Sequence, residues 1–140
     1  MNKVLFFSLA ILISGSLKAQ PPDSAAQKAK VYFLRSTGFA GSGQGFTVFI
    51  DDVVVCKLNN KRYSIHEVAP GKHIFSVQFA GKESKEKAER IEINMEPGKT
   101  YYIQLIFQSG LLKNNLYCQE VSENSARTTM SKLEEDTKCL

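Results

Sequence analysis

Two histidines, three cysteines, five tyrosines and one glycine-rich loop are the residues of this 140-residue chain whose types could do chemistry. The loop is GFAGSGQGF, residues 38–46, directly after the apolar run KVYFLR (30–35). A dinucleotide-binding turn needs G-x-G-x-x-G and then a helix whose N-terminus holds the phosphate. Here Gly41 and Gly43 have the first spacing, but Phe46 stands where the third glycine should fall. A Gly-Lys-Ser/Thr phosphate loop needs a lysine, and none occurs between Ser36 and Ile50. The loop leads into FTVFI, a strand pattern, so it is expected to join two strands and to bind no nucleotide. Gly38, Phe39, Gly41, Gly43 and Gly45 become a candidate contact loop instead.

His66 and His73 are the only histidines. A metal site needs three or four converging ligands, and no ligand pair here has a recognised spacing. His66 could face Cys56, with Glu67 assisting, but no metal and no cofactor is expected. A Cys–His nucleophile pair is conceivable at Cys56 or Cys118, although a cysteine in a strand is more often a small core residue. An enzyme would require His66 or His73 within hydrogen-bond reach of a cysteine, serine or carboxylate in a cleft. With no converging set in the sequence, no catalytic residues are expected. Tyr32, Tyr63, Tyr101, Tyr102 and Tyr117 all fall on strand patterns, where aromatic rows can stack sugars or peptides. The absence of tryptophan favours core packing or edge capping for them.

Residues 1–19, MNKVLFFSLAILISGSLKA, have a basic start at Lys3, an apolar stretch from Val4 to Ile13 and a small residue at Ala19. That is the layout of a secretory signal peptide, with cleavage expected between Ala19 and Gln20. An apolar stretch of about ten residues is half of what a membrane-spanning helix needs, so no transmembrane segment is expected after cleavage. Removal of the signal leaves sixteen basic against fourteen acidic residues, or +2. No basic cluster of the kind that binds nucleic acid remains. Gln20–Lys28 is a polar, proline-bearing leader, in which Asp23-Ser24-Ala25 resembles a bacterial O-glycosylation acceptor.

Export places Cys56, Cys118 and Cys139 where disulfides can form, and an odd count allows one internal bridge at most. Cys118 and Cys139 flank a predicted helix of about seventeen residues, roughly 25 Å long, which disfavours that pairing. Cys56 with Cys118 and a set of buried free thiols both stay open.

From Lys30 onward the hydrophobic period is two. Val31 and Phe33 alternate with Tyr32 and Leu34, and Phe46, Val48 and Ile50 with Thr47 and Phe49. Further runs come after the turns at Asp51-Asp52, Asn59-Asn60-Lys61, Pro70-Gly71, Pro97-Gly98 and Ser109-Gly110. The pattern predicts an all-β fold: an antiparallel, immunoglobulin-like sandwich of about seven or eight strands over residues 29–140. There is no room for helical crossovers, which excludes a parallel α/β sheet. Only residues 122–138 change period: Ala126, Met130 and Leu133 share one helical face, with Ser122 or Asn124 as N-cap.

The order VYFLR, GFAGSG, FTVFIDD, VAPGKH and EPGKTYYIQ resembles the bacterial domain-of-unknown-function family 2846, which in turn is similar to small PEGA-type sandwich modules. The resemblance spans about residues 29–137. It rests most on Arg35 with GFAGSG, on Pro70-Gly71-Lys72-His73, and on Pro97-Gly98-Lys99-Thr100-Tyr101-Tyr102. The chain departs from it at Asp51-Asp52, where Asp-Gly is expected, and at Cys56, where glycine is. The first departure leaves the turn type open, because a type I′ turn needs positive φ at both central residues. The resemblance implies exported or membrane-anchored relatives and no known catalytic residues.

Together these readings describe an exported, non-catalytic module, periplasmic or extracellular, in contact with an unknown envelope protein or surface component. The contact face would be the loop at Gly38–Phe46 or an exposed edge strand that accepts a partner strand. The alternative is a small-ligand or glycan-binding module that uses a tyrosine-bearing sheet face.

Overall fold

In β1 (Ala29–Arg35) Val31, Phe33 and Arg35 point inward and are buried, while on the outer face Tyr32 is half-buried but Leu34 is fully buried too. The period of two holds on the core face, and the outer face of this central strand is covered at Leu34. The computed structural model describes residues 27–39, 43–79, 89–112 and 114–139. The expected signal and its Ala19–Gln20 junction, Asp23-Ser24-Ala25 and Gly41 lie outside the described residues, as does most of the charged run 82–90.

The other strands are β2 (Phe46–Ile50), β3 (Val53–Leu58), β4 (Arg62–Val68), β5 (Gly71–Gln78), β6 (Arg90–Met95), β7 (Thr100–Gln108) and β8 (Asn115–Val121). They are followed by α1 (Glu123–Met130) and a two-residue strand, β9 (Glu134–Glu135). Two sheets face each other, one in the order β8-β7-β1-β4-β9 and the other β3-β2-β5-β6. Between them Phe33, Val48, Phe75, Ile103 and Leu105 form part of one continuous core. The all-β sandwich is thus as the periodicity predicts.

Two pairings depart from a purely antiparallel arrangement: β1 with β7, and β4 with β9, are parallel. A parallel pair needs a long crossover. Here no helix supplies it, because the chain between β1 and β7 runs through the opposite sheet and back.

The Asp51-Asp52 turn is resolved in favour of type I′, with φ of 51° and 64° at the two aspartates. The strain of positive φ without glycine is offset by fastening. The Asp51 carboxylate accepts the Ile74 N–H at 2.9 Å and lies 2.6 Å from His73 Nδ1. Asp52 pairs with Arg90 at 2.8 Å.

The helix is shorter than the periodicity predicts, ending at Met130 rather than near residue 138. Ser122 is its N-cap, accepting the Ser125 N–H. Thr128, Thr129 and Ser131 turn their hydroxyls back onto the carbonyls of Asn124, Ser125 and Thr128, a competing bonding pattern that weakens helix propagation. Beyond it the tail runs along the sandwich edge, its Glu134 and Asp136 N–H groups bonded to the Lys61 and Tyr63 carbonyls.

Arg35 organises the end of the sandwich that carries the glycine loop. Its side chain is fully buried and donates to the carbonyls of Gln44 and Leu58, both at 2.6 Å. The guanidinium lies 3.4 Å above the Phe46 ring, and Phe46, Phe79 and Phe107 pack mutually with centroids 5.5–6.3 Å apart. Burial lowers its pKa to about 10, which still leaves it charged at neutral pH. Replacing it by methionine keeps most of the volume but strands the buried Leu58 carbonyl, worth about 1–3 kcal/mol when unsatisfied, and leaves the carbonyl of the exposed Gln44 to water. Arg35→Met should therefore lower the unfolding free energy by about 1–3 kcal/mol in urea; a change below about 0.5 kcal/mol would contradict this role.

Candidate functional site

Three places bring chemistry-bearing side chains together. The first is the expected contact loop. Gly38 has φ of +65° and is held from the β3–β4 turn: Asn60 accepts from the Thr37 backbone N–H at 3.0 Å and donates to the Gly38 carbonyl at 2.7 Å. A Cβ at Gly45 would sit 2.8 Å from the Lys57 side chain, which is exposed and would have to shift. Gly43 faces open space. Phe39 is 96% exposed.

Because β1 and β7 are parallel neighbours, the loop after β1 and the loop after β7 emerge at the same end. The second loop carries Leu111 and Leu112, both fully exposed. Three large apolar side chains therefore stand in solvent at one end of the sandwich, directly beyond the Arg35–phenylalanine cluster. Phe39 is legible in the sequence as a contact residue, but the two leucines are not. Recognising them requires knowing that β7 lies parallel to β1.

The second place is the outer face of the five-stranded sheet. Tyr63, Tyr32 and Tyr102 line up across β4, β1 and β7, with ring centroids 6.3 and 5.1 Å apart. Helix α1 packs against β7 and β1 beside the row, and burial, then the nearby Glu123 carboxylate, raises the Tyr102 pKa. At the other end the Tyr63 hydroxyl donates to Glu135 at 3.4 Å. Tyr101 is on the opposite face, its hydroxyl accepting the Glu96 N–H and donating to the Asn94 carbonyl.

The third place is a cleft of about 390 Å³ between β3, β4 and the tail, lined by Val55, Ser64, His66, Asp136 and Cys139 among others. Cys56 is bridged to Cys139, a pairing that differs from the Cys56–Cys118 bond left open above. The short helix is the reason, since it releases the tail to return along the edge. Cys118 is a free thiol in the core, its pKa pushed up to about 12 by burial, which disfavours the thiolate that a nucleophile needs. His66 Nε2 lies 3.0 Å from Ser64 Oγ, and the ring meets Phe33 edge-on at 5.4 Å.

The histidine–serine proximity that an enzyme would require is thus present. Ser64 stands in the cleft wall but is only 1% exposed, with its hydroxyl within hydrogen-bond distance of the ring. His73 lies between Asp51 Oδ2 and the Ala69 carbonyl, with an acceptor oxygen at each ring nitrogen, and its partners are those of a turn clamp.

Burial lowers the His66 pKa, so the unfolded chain takes up a proton there before the folded one does. Stability is then lost as pH falls below the ordinary histidine value of about 6.5. For Asp51, partial burial alone would raise the pKa, but the Ile74 N–H and the His73 ring outweigh it and hold it below the usual value. Its contribution is lost only as pH falls below about 3.8. In urea denaturation at stepped pH, His66→Gln should flatten the slope just below pH 6.5 and Asp51→Asn the one below pH 4. An unchanged upper slope in His66→Gln would remove His66 as its source.

No curated protein matches the chain. A family model described as Protein of unknown function (DUF2846) matches residues 25–117, from before β1 into β8, so the match includes Arg35, the glycine loop, both Pro-Gly turns and Cys56. Helix α1, the tail and Cys139 lie beyond it. The match covers more than half of the sequence, and the chain belongs to the DUF2846 family.

Proposed function

We propose that this chain is an exported, non-catalytic β-sandwich module of the bacterial envelope that acts by protein–protein contact at its loop end. The observation that carries the reading is the exposure of Phe39, Leu111 and Leu112 on neighbouring loops at one end. Large apolar side chains grouped in solvent mark contact surfaces more often than isolated ones do, and aromatic anchors contribute most to such contacts. The Arg35 cluster lies beneath them at the bases of the two loops. Export is supported by the layout of residues 1–19. Among the described residues no helix is long and apolar enough to cross a membrane.

The tyrosine row supports a second reading, a small-ligand or glycan platform on the outer face. Its three rings are half-buried and bounded by α1 and Glu135, which limits the flat area offered to a sugar ring.

The two readings separate in one comparison. Phe39→Ser with Leu111→Ser and Leu112→Ser should reduce crosslinked capture of envelope proteins by about tenfold or more, with melting temperature nearly unchanged because all three side chains are in water. Tyr32→Ala should leave capture intact under the contact reading. Equal capture by the triple variant and the parent would overturn that reading.

A further inference from the structure

We propose that Cys56, Cys139 and His66 form a metal site in the reduced protein: with the disulfide opened, the two thiolates and the imidazole bind one zinc-class divalent cation at the cleft. Both sulfurs and a ring nitrogen of His66 already lie within 4.8 Å of one another. Three separate pieces of chain supply them: β3, β4 and the tail after β9. Spacings of ten and seventy-three residues match no ligand motif, which is why the set is invisible in the sequence.

The geometry suits tetrahedral coordination. Zinc–sulfur bonds of about 2.3 Å place two thiolates roughly 3.8 Å apart. The two Cα atoms, at 5.0 Å, allow this by side-chain rotation. Cys56 is fixed in a strand, whereas Cys139 belongs to a tail held by a few backbone bonds and can adjust. With Nε2 held by Ser64, ligation falls to Nδ1. The serine then orients the ring from behind, as outer-shell partners of ligating histidines do. Cys56 is buried and His66 and Cys139 are half-buried, while the cleft admits the water that completes three-ligand zinc sites.

The chemistry balances. An external dithiol transfers two electrons and two protons to the Cys56–Cys139 disulfide; the dithiol becomes a disulfide and the pair becomes two thiols. The cation then displaces both thiol protons to solvent and forms two metal–sulfur bonds and one metal–nitrogen bond. A divalent cation with two thiolates and a neutral imidazole carries no net charge, so the partly buried site holds no uncompensated ion. Two thiolates with one imidazole are a donor set that suits zinc rather than magnesium or calcium. Disulfide and metal are mutually exclusive, and each fastens the tail to the same edge.

Cobalt(II), a spectroscopic stand-in for zinc, tests this on the full mature chain. The oxidised protein should yield a Cys56–Cys139 peptide in a non-reducing map and bind no cobalt. After reduction with a phosphine, one equivalent should bind with sulfur-to-cobalt charge-transfer and tetrahedral ligand-field bands, both removed by zinc. Cys139→Ser and His66→Gln should each weaken binding by about tenfold or more, and Cys118→Ser should leave it unchanged. If reduction unfolds the chain, recovery of the native circular dichroism on adding one equivalent of zinc supports the site. The proposal is overturned if the reduced protein binds no cobalt, if Cys139→Ser binds it as tightly as the parent, or if zinc fails to restore a fold lost on reduction.

Discussion

A guanidinium with no solvent-exposed surface is the constraint on which one end of this sandwich depends. Removing a cation from water is expensive unless its donors are met, and Arg35 is met from several directions at once. The Gln44 carbonyl belongs to the glycine loop, the Leu58 carbonyl closes β3, and the Phe46 ring opens β2. None of these partners is optional, so loop path, strand ends and phenylalanine packing stand or fall together. The loop comes back close enough for the Gln44 carbonyl to reach the cation, and at Gly45 it passes against the exposed Lys57 side chain, which an added Cβ would force to shift. A motif that looks at first like a phosphate cradle lends, at Gln44, a carbonyl to a positive charge of the protein's own.

Much of this architecture is legible because a half-buried strand writes its geometry into alternate residues. Val31 and Phe33, Phe46 and Val48, and Ile103 and Leu105 can be assigned to the core without any structure, as can the turns between them. Arg35 is visible only as a family mark. A charged residue at a strand end reads as exposed unless its partners are known, and they lie nine and twenty-three positions away. The helix is legible at its start, where Ser122 provides a cap, and misread at its end. No glycine or proline stops it there, and side-chain hydroxyls together with the edge of β4 compete with further turns. That single misreading hides the disulfide, since a helix to residue 138 would carry Cys139 away from Cys56.

The tail resolves a problem common to open sheets, whose edges offer unpaired backbone groups. On one side of the sandwich β8 packs toward β5 and β6, and the sheets meet. On the other, β3 and β4 belong to different sheets and diverge. The tail crosses that gap: it pairs with β4 through β9, and Cys139 accepts the Lys57 N–H as well as bonding to Cys56. The tail covers β4 only at Arg62 and Tyr63, and β3, β6 and β8 also end their sheets, so strand addition at an edge, one of the two contact modes expected from the sequence, keeps candidate edges beside the loop end.

This division of labour also explains why the two ends of β4 differ in character. Toward Arg62 the strand lies beside the Asn60 clamp and the Arg35 cluster, where each polar group described has a structural partner. Toward His66 it borders a cleft, and the groups there are a sulfur pair, an imidazole and a hydroxyl, all capable of changing partners. The bond between Cys56 and Cys139 is the only described covalent link across the gap, whereas the remaining tail contacts are a few backbone bonds and exposed side chains. Opening it therefore affects the tail first and the core last, since Phe33, Phe75 and Ile103 are held by both sheets. A chemical change at this edge can be large locally without costing the fold, which is the physical condition for a site with two states.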